Sequence, residues 1–300
     1  MPDYLSSLPS LSSQTRKPRL ALAGATGRVG ATLTTRLAAD PIDVVVLTRN
    51  PEAARLPTGI SAVKVDFRHE DRLRDALRGI DRLFISHGTS TEQVANEIAL
   101  IDAAVAAGVR HIVKLSALGP ATRLLPIAWH MQIEAHLAQQ PIASTVLRPT
   151  AFSDVLKRLG PLIAAGSWTG AAGNGRVNFI DTRDIADAAR IALLEEIEPE
   201  SQRVYHLTGP RAWTMADIAA ELTRLLGHPV TYVHLSPSQQ REALLGSGLS
   251  PFTADLLIGL DRLFRESAIG ETTSTIEEMT GKAPRSLTEW LTDNLTIFQK

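Results

Sequence analysis

The 300-residue chain contains no cysteine, which excludes disulfides, thiolate metal sites and thiol nucleophiles together. It has no apolar run near the roughly 18 residues that a membrane-spanning helix needs. Nor is there an excess of either charge: 31 Lys and Arg against 32 Asp and Glu leave a formal net charge of -1. That balance argues against a whole-chain electrostatic grip on nucleic acid or anionic lipid. The histidines show no His-x-x-x-His or His-Glu-x-x-His spacing, so no metal is expected. Tyrosine is scarce, at Tyr4, Tyr205 and Tyr232 only. What is present is an apolar fraction of 44% against 21% charged residues, enough for a packed core.

Residues 1–18 are rich in Ser and Pro and read as a flexible tail. They lack the apolar stretch of a secretory signal and the arginines of a transit peptide, so a cytoplasmic protein is expected. From residue 19, short apolar runs at 20–23, 42–47, 60–65, 83–85, 111–115 and 144–147 alternate with helix-length segments at 29–38, 72–77, 94–107 and 127–137. Runs apolar on both faces suit parallel strands covered by helices on both sides. Residues 19–148 therefore predict an α/β doubly wound parallel sheet. Further on, 177–180 and 204–207 read as strands, and 184–195 and 215–226 as helices. Asp181, Thr182 and Thr214 are placed to cap those helices. Residues 149–300 read mainly as a smaller, mostly helical substrate lobe closing over the strand ends, with 176–196 packing back on the first.

The strongest local signal is Gly24-Ala-Thr26-Gly27-Arg28-Val29-Gly30, entered from a buried strand and leading straight into a helix. Glycine allows the tight turn and the close approach of a pyrophosphate, and the free amides and positive end of the helix hold the anion. With that flanking context the Gly-x-x-Gly-x-x-Gly spacing predicts a Rossmann-type NAD(P) site. An acidic residue at the end of the next strand selects NAD, whereas an arginine there accommodates the 2′-phosphate of NADP. Here the strand ends Thr48-Arg49-Asn50, with no acid, and Arg28 stands in the loop. NADPH is therefore expected in preference to NADH, the alternative being that Arg49 is a solvated loop residue.

This loop, Val65-Asp66-Phe67, His111-Ile-Val-Lys114-Leu-Ser116-Ala, Trp129-His-Met-Gln-Ile-Glu134, Leu147-Arg-Pro149-Thr-Ala-Phe152 and Phe179-Ile-Asp181-Thr-Arg-Asp184 resemble the NmrA-like group of atypical short-chain dehydrogenases/reductases. That group holds NADP sensors, quinone oxidoreductases, azo and triphenylmethane dye reductases and alkaloid iminium reductases. The resemblance implies that Asp66 accepts from the adenine amino group with Phe67 beside it. It implies that Ser86, His87 and Gly88 pass the ribose and pyrophosphate, and that Pro149, Thr150 and Phe152 flank the nicotinamide.

Short-chain dehydrogenases usually carry Tyr-x-x-x-Lys, in which the lysine tunes a tyrosine that relays a proton to a carbonyl. Four residues beyond the three tyrosines stand Leu8, Gly209 and Ser236, so that relay is absent. In its place His130 and Glu134 share a helix face, which predicts a proton donor whose pKa a carboxylate raises. An ordinary surface pair, or a histidine packed under the second lobe, is the alternative. Ser116 follows a strand where the usual serine sits, and Lys114 lies two residues earlier; either can touch the nicotinamide ribose or the substrate. A lysine in an apolar strand also needs a partner. Asp181 and Asp184 read as structural.

Without a strong acid, a simple ketone is a poor substrate, because full alkoxide charge develops on it. Quinones, iminium ions and dyes suit the site better. The reading is an NADPH-dependent oxidoreductase acting on a small electrophile, as a monomer or homodimer. Its acceptor pocket is expected around Trp129, Phe152, Trp168 and 244–264. The alternative is a non-catalytic NADP-binding regulator that grips a protein partner.

Overall fold

The structure is a computed structural model describing residues 17–299, so the expected tail lies almost wholly outside the described residues. Strands β1 (Arg19–Ala23), β2 (Asp43–Thr48), β3 (Ser61–Lys64), β4 (Arg82–Ile85), β5 (His111–Leu115) and β6 (Ala143–Pro149) alternate with helices α1 (Arg28–Leu37), α2 (Glu70–Ala76), α3 (Gln93–Ala106) and α4 (Ile127–Leu137). The second half adds β7 (Ala151–Phe152), β8 (Ser167–Gly170), β9 (Val177–Ile180), β10 (Gln202–Leu207), β11 (Ala212–Trp213) and β12 (Thr231–His234). Its helices are α5 (Gly160–Ala164), α6 (Thr182–Leu194), α7 (Met215–Leu226), α8 (Pro237–Gly246), α9 (Pro251–Arg265), α10 (Thr275–Thr280) and α11 (Leu287–Asp293).

Seven strands form one sheet in the order β10-β6-β5-β4-β1-β2-β3, parallel throughout. Strand alternation divides its side chains between two cores. Leu20, Leu22, Val44, Val46, Phe84 and Val113 pack with α1 and α6 on one face. Ala21, Ala23, Val45, Leu47, Leu83, Ile85 and Ile112 pack with α2, α3 and α4 on the other. Each such leucine, wholly removed from water, contributes about 1.5–3 kcal/mol. A third core, around Trp168, Phe179, Trp213, Phe264 and Trp290, belongs to the second lobe.

The chain order reverses beside β1, between β2 and β4, which is where a doubly wound sheet opens a crevice at its strand ends. Helix α6 packs on the sheet through Ile185, Ala188, Ala189 and Ala192. Strand β10 joins the sheet itself, pairing with β6 from Ser144↔Gln202 to Pro149↔Leu207 as the sheet's edge. Residues 204–207 were legible there as strand, and nothing local revealed which sheet they join. No helix among the described residues is long and apolar enough to cross a membrane.

Candidate active site

The glycine loop is shaped by contacts only glycine permits. Gly24 has φ +94°, and a Cβ there would sit 1.8 Å from the Ser86 carbonyl oxygen. A Cβ on Gly30 would lie 2.1 Å from the Gly24 oxygen, so Gly30 serves the packing of α1 against the loop. Val29 is buried in the core. Gly27 donates its N–H to Gly24 O at 3.0 Å and is the N-cap of α1, with no side chain to bond the first-turn amides and no acid in that turn. Those open amides and the helix dipole form a ready anion seat.

Beside the loop lies a cavity of about 500 Å³. Gly24, Thr26, Gly27, Arg49, Phe67, Ser86, His87 and Gly88 line it. The Phe67 and His87 rings meet edge to face at 5.7 Å. His87 Nδ1 bonds Gly88 O at 2.8 Å and its Nε2 faces the Asn96 amide at 3.2 Å, which assigns the proton to Nδ1. Asn96 and Glu97, from α3, were missed as lining residues. The available signal was a polar pair, Gln93 and Glu97, one turn apart in a mostly apolar helix.

Arg28 does not line this cavity. It stands beside Arg158 of the second lobe, whose pKa is pushed down by burial and by Arg28's charge. No described carboxylate pairs with either guanidinium. Two adjacent positive charges at a helix start favour a bound anion twice over.

Asp66 departs from expectation. Its carboxylate accepts from Arg68 Nε at 3.0 Å and from the Arg68 N–H at 3.1 Å, with His69 at 3.6 Å, and it does not line the cavity. These bonds hold its pKa well below the usual carboxylate range. Lys114 is likewise not a free cofactor contact. Wholly buried, its ammonium pairs with Glu97 at 2.9 Å and donates to the Leu115 carbonyl and to His130 Nδ1, the latter at 3.2 Å. Gln93 in turn donates to Glu97 at 3.1 Å.

The expected His130–Glu134 pair is not formed. Glu134 accepts from Ser116 Oγ and is clamped by Arg148, whose Nε lies 3.1 Å from Oε2. Burial and the Lys114 charge push the His130 pKa well down, opposite to the expectation from a carboxylate neighbour. The imidazole is therefore neutral at pH 7. Because Nδ1 accepts from Lys114, its proton sits on Nε2. Ser116, 4% exposed, spends its only proton on Glu134 and presents lone pairs.

Pro149 and Thr150 are buried and also occupied internally. Leu118 N–H bonds Pro149 O at 2.8 Å, and Thr150 N–H bonds Leu207 O at 3.0 Å, so the Thr150 amide is not open to a carboxamide. Phe152 is half-buried beside them. Asp181 caps α6 through the Arg183 N–H at 2.8 Å, and Asp184 pairs with Arg285. No metal-type cluster of His, Asp and Glu occurs among the described residues.

The expected acceptor wall is divided. Trp129 stacks on Phe252 at 6.2 Å, joining α4 to α9 across the two lobes. Trp168, Leu244, Leu257, Leu260 and Phe264 line a separate cavity of about 140 Å³ inside the second lobe, without Trp129 or Phe152.

The sequence profile of a family described as NAD(P)H-binding matches residues 24–195. Quinone oxidoreductase 2 of Escherichia coli is 32% identical over 277 residues, covering 90% of this chain and 96% of the relative. An NAD(P)H azoreductase of Xenophilus azovorans is 29% identical, covering 92% and 97%. A crystal structure of the E. coli NADPH-dependent quinone oxidoreductase with NADPH superposes with TM-score 0.85 at 30% identity, covering 92% of this chain and 99% of that one. The NADP(H)-bound triphenylmethane reductase of Citrobacter sp., at TM-score 0.82 and 22% identity over 91% of this chain and 99% of that one, shares the fold. The open loop, the cavity and these relatives agree: the chain belongs to the NAD(P)H-binding family and is an oxidoreductase.

Proposed function

We propose that this protein uses NADPH rather than NADH to reduce small electrophiles of the quinone, iminium or dye type. The carrying observation is the pair Lys114–His130. An ammonium at Nδ1 keeps the imidazole neutral and its N–H on the far nitrogen. A neutral imidazole donates a hydrogen bond but gives up a proton poorly. It supports an acceptor whose charge spreads over a ring, and it serves a localised alkoxide badly.

The remaining residues divide between holding and positioning. The α1 amides take the pyrophosphate, with Arg28 and Arg158 beside them, and Arg49 takes the 2′-phosphate in the absence of an acid at the end of β2. Phe67 and His87 wall the adenosine end. Ser116 faces the nicotinamide side as a hydrogen-bond acceptor, fixed by Glu134 and Arg148. When bound, NADPH supplies hydride from its nicotinamide ring. Names of the relatives, quinone oxidoreductase and azoreductase, support the same acceptor class.

Steady-state oxidation of NADPH with a panel of quinones, imines and dyes tests this, with turnover of roughly 1 per second or more expected on at least one. Arg49→Ala should weaken NADPH about tenfold and leave NADH unchanged. Equal affinity of the wild type for both coenzymes removes the assignment. NADPH binding without turnover on any acceptor would point to a regulator. His130→Ala should cut turnover by roughly 10- to 100-fold, and any His130 titration in the wild-type rate should lie below the ordinary histidine range.

A further inference from the structure

The 140 Å³ cavity of the second lobe shares no lining residue with the cofactor cavity. Its wall is mostly apolar, with Leu156, Trp168, Phe179, Leu244 and Phe264 among its members. An apolar chamber of about 150 Å³ holds one benzene-sized ring. Polar groups interrupt the apolar lining at Thr169, Gln240, Arg158, which stands beside Arg28, and Asp261, which accepts the Ala171 N–H at 2.8 Å. The Gln240 side chain is 7% exposed, and its Oε1 is buried with no donor among the described residues. An amide oxygen taken out of water calls for a donor. Tyr232, also on the wall, accepts the Ala172 N–H at 3.0 Å and donates to no described residue. Burial raises its pKa to about 12, so it keeps its proton.

We propose that this chamber binds a neutral single-ring ligand carrying an O–H or N–H donor, a phenol or an aromatic amine, with Gln240 Oε1 as the acceptor. Reduction of a quinone or an azo bond leaves groups of this kind, which suits the reaction proposed above. Binding of the ring does not require that reaction.

Calorimetric titration of the NADP⁺-loaded protein with phenol, and with benzene as the control, is the test. Phenol should bind, and Gln240→Leu should weaken it about tenfold while benzene changes less than twofold. Leu244→Trp, which fills the chamber, should abolish both, with NADPH affinity retained as the sign of a folded protein. Equal phenol affinity in wild type and Gln240→Leu overturns the proposal. So does phenol binding that survives Leu244→Trp, or no binding of either ring to the wild type. Should Leu244→Trp fail to fold, the Gln240→Leu comparison decides alone. No turnover enters the measurement, so a negative result leaves the reductase reading standing.

Discussion

Helix α1 and five helices of the second half, α6, α7, α8, α9 and α11, begin in opposite ways. In α7, α8 and α11, Thr214, Ser236 and Ser286 each form a capping box with the residue three further on, and Asp181 and Ser250 cap α6 and α9. At α1 the cap is Gly27, the first turn holds no acid, and its first residue is Arg28, which pairs with no described carboxylate. In those five helices the chain supplies its own acceptor. Where an anion is to arrive, the amides and the charge are left open, at some cost to the cofactor-free protein.

The buried layer beneath the strand ends belongs to the closed kind, and it gives the largest expected effect. Lys114→Met leaves Glu97 buried without its cation and should destabilise the fold by about 3–5 kcal/mol in chemical denaturation. A small loss would mean that the pair is not ionised as drawn. At the opposite end of β5, His111 is wholly buried, with Nε2 on Thr145 at 3.0 Å, and burial and nearby arginines lower its pKa to about 4. Above pH 6.5 both folded and unfolded states hold it neutral. Between 6.5 and 4 only the unfolded chain takes up the proton. Stability should therefore fall by roughly 3 kcal/mol as pH drops through that window. His111→Gln should flatten the curve.

Gly27→Asp sharpens the comparison most directly. Its backbone, at φ -79°, accepts an ordinary residue, and the carboxylate would close the α1 amides. NADPH affinity should fall roughly 100-fold by like-charge repulsion, while the cofactor-free protein gains about 1 kcal/mol. Fluorescence titration and thermal unfolding read the two halves of that statement; retained affinity breaks it. Thr214→Ala is the smallest case, with a loss of about 1 kcal/mol and an unchanged NADPH affinity.

What was legible in the sequence was local. The glycine loop, the caps at Asp181 and Thr214 and most strand positions depend on neighbours within one turn. The active-site connections do not. Glu134 finds Arg148 on β6 and Ser116 at the end of β5, and Lys114 finds Glu97 on α3, through the register of adjacent strands and helices. Helical spacing correctly put His130 and Glu134 on one face, yet each had a stronger partner elsewhere. Asp66 failed for a different reason, since Arg68 two residues on satisfies its carboxylate.

Strand β10 carries one more consequence. After forming most of the second lobe's early elements, the backbone comes home to hydrogen-bond along β6 before leaving again. The two halves are thus stitched by several crossings, and no single cut yields a self-sufficient nucleotide module. A fragment ending near residue 150 would expose the edge of β6 and one side of its own interior, so grafting this lobe onto a foreign partner requires exchanging two segments together.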